Sequence, residues 1–147
     1  MKPKTAKEYK LIATESEPIE RKKIQSSKDC ESYIRQFYDS DIAIYESSFI
    51  LLLNQANTTI GWVKLSQGGI NATIMDVQLV AKIAIESLAK GIILAHNHPS
   101  GNLQPSNGDL QTTKQIKEGL TLFSIKVLDH IILTENSYFS FMDEGLI

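Results

Sequence analysis

Two of the three histidines in this 147-residue chain, His96 and His98, stand two positions apart, and a carboxylate, Asp109, follows eleven residues after the second. In an extended chain, residues i and i+2 point to the same side, so both imidazoles can reach one ion from the exit of a strand. Asp109 would arrive from the first turn of a helix. Two neutral imidazoles and one carboxylate make a three-ligand set with room for a water, which is the layout of a catalytic zinc site. The mixture suits zinc better than the hard, oxygen-seeking cations. A second reading stands beside it. Pro99-Ser100-Gly101 is a turn signal that would leave the histidines in an exposed loop, and Ser106-x-x-Asp109 is close to a helix capping box. Spacing alone leaves the two readings level.

The string His96-Asn97-His98-Pro99-Ser100-Gly101, followed by Pro105-Ser106 and Asp109, resembles a known pattern. H-x-H-x7-S-x2-D is the core of the JAMM motif, also called MPN-plus or Mov34, of zinc metallopeptidases. The longer string is similar to the RadC branch of that family, as are Leu128-Asp129-His130 and the tail from Ser140-Phe141 to Glu144-Gly145-Leu146. The resemblance covers Tyr45 to Ile147. It implies one zinc per chain, held by His96, His98 and Asp109. It implies that Ser106 helps stabilise an oxyanion and that Glu46, just before an apolar strand, is the general base for a zinc-activated water. It further implies a JAMM, cytidine-deaminase-like architecture and a hydrolase acting on a peptide or isopeptide carbonyl. A nucleic-acid-processing or DNA-repair-associated role is the alternative, and a non-catalytic interaction domain a third. Two departures stand out. Gln78 occupies a region where RadC-like sequences carry a basic residue, and residues 1–45 show no helix-hairpin-helix signature.

The elements that must position these residues can be read from periodicity. Ser26 and Ser27 offer N-caps for a helix over residues 27–38, with Tyr33, Ile34 and Phe37 at helical spacing. Residues 48–54 and 58–66 read as a hairpin about Gln55-Ala56-Asn57. Val77, Val80, Ala81, Ala84, Ile85 and Leu88 make residues 76–88 an amphipathic helix ended by Gly91. Residues 92–95 are a short buried strand, after which His96 opens an irregular segment. A helix over 106–122, a strand over 126–133 and a short strand over 137–141 follow. Tyr9–Ala13 and Pro18–Ile24 are further short strands around Glu15-Ser16-Glu17-Pro18. The sum is an α/β (α+β) fold, a mixed β-sheet flanked by helices. Residues 1–44 read as an N-terminal extension with one packing helix, and 45–147 as a RadC-like JAMM domain, packed as one compact unit.

Other residues have simpler readings. His130, in an apolar strand, is expected to be a hydrogen-bonded structural residue, with Asp129 beside it marking the edge of the site. Asn97 and Ser100 are expected to orient the histidine rings. Cys30 is expected to be buried packing, Trp62 to pack in the sheet, and Arg21-Lys22-Lys23 to be solvated.

Composition bounds the rest. An apolar fraction of 42% and a charged fraction of 22% are those of a globular chain. A net charge of -2 argues against a whole-domain nucleic-acid clamp without excluding a local basic patch. One cysteine rules out an intrachain disulfide and a Cys-based zinc site. No apolar run spans a bilayer, and the charged Met1–Thr5 stretch leads into no secretory signal, so a cytoplasmic protein without membrane contact is expected. The sheet edges of so small a domain leave a homodimer open.

Overall fold

A computed structural model describes residues 6–8, 13, 19–68 and 75–147. Its elements run α1 (Ser27–Arg35), a 3-10 turn (Ser40–Ala43), β1 (Ser47–Leu53), β2 (Thr59–Gln67), α2 (Val77–Glu86), β3 (Gly91–Asn97), α3 (Asn107–Thr121), β4 (Lys126–Leu133) and β5 (Tyr138–Ser140). The strands form one mixed sheet in the order β2-β1-β3-β4-β5. Only β3 and β4 run parallel, joined through α3. The expected mixed sheet flanked by helices is the architecture found.

β1 and β3 lie inside the sheet and are buried along their whole length, which is why they read as unbroken apolar runs rather than alternating ones. Their side chains feed two cores. Ile50, Leu52, Ile92 and Leu94 meet Val80 and Ala84 of α2 and Ile116 and Leu120 of α3. On the other face Leu51, Leu53, Ile93 and Ala95 meet Cys30, Tyr33 and Ile34 of α1. Each fully buried aliphatic side chain contributes about 1.5–3 kcal/mol, so this two-sided burial is what holds β3 in place. Cys30 is packing, and burial, helped by the charge of Asp129, pushes its thiol up to about 12. Trp62, on the edge strand β2, stacks on Phe37 at 4.7 Å between ring centres.

The caps explain the helix limits. Ser26 accepts the Asp29 N–H at the start of α1, and Asp76 accepts the Leu79 N–H at the start of α2. α1 stops at Arg35, three residues short of the expected end. Gly91 does not end α2. Leu88 does, in a left-handed conformation (φ 56°) with the Ala89 N–H returning to Ala84 O. Gly91 is instead the first residue of β3, where a Cβ would meet Leu128 Cδ1 at 3.0 Å. The hairpin forms as expected, with Asn57 at φ 60° and Asn54 Oδ1 accepting from the Ala56 and Thr58 N–H groups.

Two expectations about strands change. β3 does not stop at Ala95 but carries His96 and Asn97 within it, because the ladders to β1 and β4 both continue. Of the described part of the Pro18–Ile24 strand, only Lys23 pairs, as an isolated bridge to Thr58. Of Tyr9–Ala13, all but Ala13 lie outside the described residues, as does the Glu15–Pro18 turn. Among the described residues no helix is long and apolar enough to cross a membrane.

Candidate metal centre

His96 pairs with Ser48 of β1 and Ile132 of β4, so its ring leaves the middle of the sheet and is 3% exposed. His98 lies one step past the end of β3, yet its N–H still bonds Leu133 O at 2.8 Å. The extended alternation therefore continues, and both rings emerge on the face that carries Ile92, Leu94 and α3. The chain then turns through Pro99 and Gly101, the latter at φ 84°, and returns to start α3. Ser106 is the N-cap of that helix and Asp109 its third residue, and the full capping box is present. The Asp109 N–H bonds Ser106 Oγ at 3.0 Å and the Ser106 N–H bonds Asp109 Oδ2 at 2.8 Å.

The capping reading is thus observed, and the carboxylate that caps the helix also faces both rings. The same Asp109 Oδ2 lies 3.4 Å from His96 Nε2 and 3.4 Å from His98 Nε2, and the two ring nitrogens lie 3.0 Å apart. Two donors about 2.0–2.1 Å from a tetrahedral ion such as zinc sit about 3.3 Å from each other. The observed triangle matches that size. The donor chemistry matches as well. His98 Nδ1 lies 2.6 Å from Asn102 O, which can only accept, so Nδ1 carries the hydrogen and the neutral ring turns its lone pair, on Nε2, toward the other two donors. With both rings neutral, three acceptors converge, a set that suits a cation; with a ring protonated, the same atoms form a His–Asp ion pair.

Burial pushes the Asp109 carboxyl up, but with the rings protonated, hydrogen bonds from His96 and His98, the charge of His96 and the Ser106 N–H outweigh it and hold the group far below the usual carboxylate range. The hydrogen bond to Asp109 raises the His98 pKa against the opposing effect of burial, and the Asn102 carbonyl and the Glu46 charge add to the rise. Burial drives His130 well below the ordinary histidine value, so its ring is neutral.

Glu46 enters from β1. Ser48 stands opposite His96, and two more residues along that antiparallel register set Glu46 opposite His98 on the same face. Its carboxylate and the two histidine nitrogens all lie within 4.8 Å of one another, and the residue is 6% exposed. What holds this turn is Asn97. Being between His96 and His98 on an extended chain, its side chain points to the opposite face of the sheet. There its oxygen accepts the Ser47 N–H at 2.7 Å and its amide donates to Ile42 O at 2.6 Å and Tyr45 O at 2.8 Å.

Asn97 and Ser100 therefore do not orient the histidine rings. Asn97 cannot, because alternation aims it away; Ser100 Oγ instead accepts the Asn102 N–H. The group that reaches a ring is His130, whose Nε2 lies 2.7 Å from His96 Nδ1 and whose Nδ1 lies 2.6 Å from Thr113 Oγ1. His130 is hydrogen-bonded as expected, and it is also in contact with the site. Thr113 gave no signal in the sequence as a site residue, since its relevance depends on α3 crossing β4. Asp129 faces away, accepting from Ser140 Oγ and the Met142 N–H. Gln78 is exposed on α2.

A cleft of about 580 Å³ opens over Glu46, His98 and Asp109. Ile44, Pro99 and Pro105 give it apolar walls, and Asn102, Gln104 and Ser106 give it neutral polar ones. Among the described residues that line it there is no Lys or Arg.

Residues 24–146 match the RadC-like JAB domain family. A UPF0758 protein of Flavobacterium johnsoniae is 45% identical over 128 residues, which is 87% of this chain and 55% of that protein. A UPF0758 protein of Porphyromonas gingivalis is 45% identical over 103 residues, 69% of this chain and 45% of its own length. One from Pelodictyon phaeoclathratiforme is 39% identical over 126 residues, 86% of this chain and 56% of the relative. The chain spans about half the length of the curated relatives it matches. With a mixed sheet, a strand ending in His96-Asn97 followed by His98, and a capped helix returning Asp109 to those rings, the chain belongs to the RadC-like JAB domain family.

Proposed function

We propose that this domain is a zinc-dependent hydrolase acting on a peptide or isopeptide bond, with one zinc per chain held by His96, His98 and Asp109. The observation that carries the reading is the triangle of two ring nitrogens and one carboxylate oxygen, 3.0–3.4 Å on its sides, with Glu46 next to it. A zinc ion bound there supplies Lewis acidity, which polarises a carbonyl oxygen and lowers the pKa of a water to about 7. The chain's own residues do the rest. Glu46 takes a proton from the attacking water and returns it to the leaving nitrogen, a role worth about 10²–10⁴ in rate. Ser106 Oγ accepts from the Asp109 N–H, so its hydroxyl hydrogen is left to donate to the carbonyl oxygen as negative charge builds there. The amino end of α3, a fifteen-residue helix that begins at the cleft, adds a favourable field for that charge. Ile44, Pro99 and Pro105 suit a peptide better than a polyanion, and the cleft lining offers no cation for a phosphodiester.

The test is metal content together with a peptide and ubiquitin-like substrate screen under a chelator control. The expected result is about one zinc per chain and chelator-sensitive turnover, with Glu46→Gln keeping the zinc and losing turnover. A folded wild type that takes up no zinc would overturn the reading, and unchanged turnover in Glu46→Gln would remove Glu46 from it. Salt-sensitive DNA binding would favour the nucleic-acid alternative instead.

A further inference from the structure

Thr113 connects two parts of the site that the ligand triangle leaves unconnected. Its Oγ1 lies 2.7 Å from the backbone carbonyl of Asp109, one helical turn earlier. A carbonyl oxygen can only accept, so the Thr113 hydroxyl spends its single hydrogen there. The same Oγ1 lies 2.6 Å from His130 Nδ1, and with its hydrogen committed it can only accept from that nitrogen. His130 Nδ1 thus carries the ring hydrogen, and His130 Nε2 is left as an acceptor. That acceptor faces His96 Nδ1 at 2.7 Å. His96 must then carry a hydrogen on Nδ1, so that the neutral ring keeps its lone pair on Nε2, the atom turned toward His98 and Asp109. Reversing any one bond sets two acceptors or two hydrogens against each other in a place closed to water. His130 and Thr113 are 2% exposed, and no buried side-chain nitrogen or oxygen among the described residues lacks a partner. Phe141 stacks on the His130 ring at 4.6 Å and 18°, which keeps the ring in the plane the relay needs.

We infer that Thr113 and His130 are positioning residues, a relay running from the Asp109 carbonyl that locks His96 in the Nδ1–H tautomer and so keeps its Nε2 ready for a metal ion. The inference rests on the zinc reading above for its purpose, though the relay itself is a property of the fold. It explains why a neutral histidine is buried beside a ligand histidine. Partners behind a metal-binding histidine fix its tautomer and typically carry 10–100-fold in metal affinity.

The experiment has two arms on the full chain. In the first, nitrogen-15 NMR of the metal-free wild type reads the ring tautomers. Nδ1–H is expected at both His96 and His130, and a His96 that carries its hydrogen on Nε2 and none on Nδ1 would overturn the relay whatever the protein does with metal. In the second, Zn²⁺ affinity is measured by chelator competition for wild type, Thr113→Val and Thr113→Ser, with melting curves confirming that each is folded. Thr113→Val, close in shape but unable to accept, is expected to bind Zn²⁺ about 10–100-fold more weakly. Thr113→Ser, which restores the hydroxyl, is expected to recover wild-type affinity. A folded Thr113→Val that binds Zn²⁺ as tightly as wild type would also overturn the inference. A wild type that binds no Zn²⁺ but shows the two Nδ1–H tautomers would sink the zinc reading and leave the relay standing.

Discussion

The Asn97 carboxamide oxygen accepts the Ser47 N–H at 2.7 Å, so the residue between His96 and His98 fixes the chain next to Glu46. Its amide holds the Tyr45 carbonyl on the other side of the same residue. One side chain, fully buried, thereby sets the distance between Glu46 and the triangle of His96, His98 and Asp109.

Asn97→Ala removes three hydrogen bonds at once and leaves the buried Ser47 N–H without a partner. Each buried group left unsatisfied costs about 1–3 kcal/mol, so a loss on the order of 3 kcal/mol is expected. Urea unfolding measures it. Zinc content should be retained, because the ligand rings do not depend on this side chain, while turnover falls as Glu46 loses its position. A variant as stable as wild type, or one that loses its zinc while folded, would contradict this account.

Asp109→Asn makes a prediction about pH in the chelated protein. The His98 pKa is raised in the folded state, chiefly by its hydrogen bond to Asp109, so the pair's stabilisation is fully present below the unfolded histidine value of about 6.5 and is lost as pH rises through the raised value. The Asp109 pKa is depressed, so its share is present above about 3.9 and disappears only in strong acid. The Tm gap between wild type and Asp109→Asn should be widest between about pH 4 and 6.5 and should narrow toward alkaline pH. The low His130 value has the opposite sign, with stability lost as pH falls; its main cause, burial, is common to both proteins, while the Asp109 charge opposes it, so removing that charge lowers the value further and adds to the gap at acid rather than alkaline pH. A gap that widens with rising pH would refute the coupling.

Zinc removal should lower stability, because the ligands come from β3 and from α3, two elements that separate on unfolding. At free zinc 100-fold above the dissociation constant the expected gain is about 2.7 kcal/mol. Melting curves with and without a chelator test it. The Glu46→Gln variant should show the same zinc-dependent gain as wild type.

Gly91→Ala tests the start of β3. The added Cβ would sit 3.0 Å from Leu128 Cδ1 and 3.6 Å from Lys126 O, so Leu128 must shift in a packed region. Overpacking of this kind costs about 1–3 kcal/mol. Thermal unfolding at one pH suffices, and an unchanged Tm would show that Leu128 has room to move.

Much of this arrangement was legible in the residues. The helices over α1, α2 and α3 and the five strands follow from periodicity, and the Ser106–Asp109 spacing signals a capped helix start. The limits were less legible. Leu88 ends α2 by adopting a left-handed conformation that its residue type does not announce, and β3 runs on through His96 and Asn97 because strands on both sides keep pairing with it. Propensity is local, whereas a ladder is a decision made jointly with the neighbours.

The metal triangle itself divides along the same line. By itself the sequence determined which atoms are available and in what order: two rings on one side of an extended chain, a carboxylate in the first turn of a helix, and a glutamate before an apolar strand. That much follows from the fixed periods of strand and helix. Only the tertiary structure decided that Asp109 caps its helix and faces the rings with the same oxygen, that Asn97 serves Glu46 rather than the histidines, and that Thr113 and His130 stand behind His96. Those facts depend on the antiparallel pairing of β1 with β3, which brings Asn97 to Ile42 fifty-five positions away, and on the parallel pairing of β3 with β4 with α3 packed on β4. Hydrogen-bond direction then does what spacing cannot: it says which nitrogen of His96 is free to hold an ion.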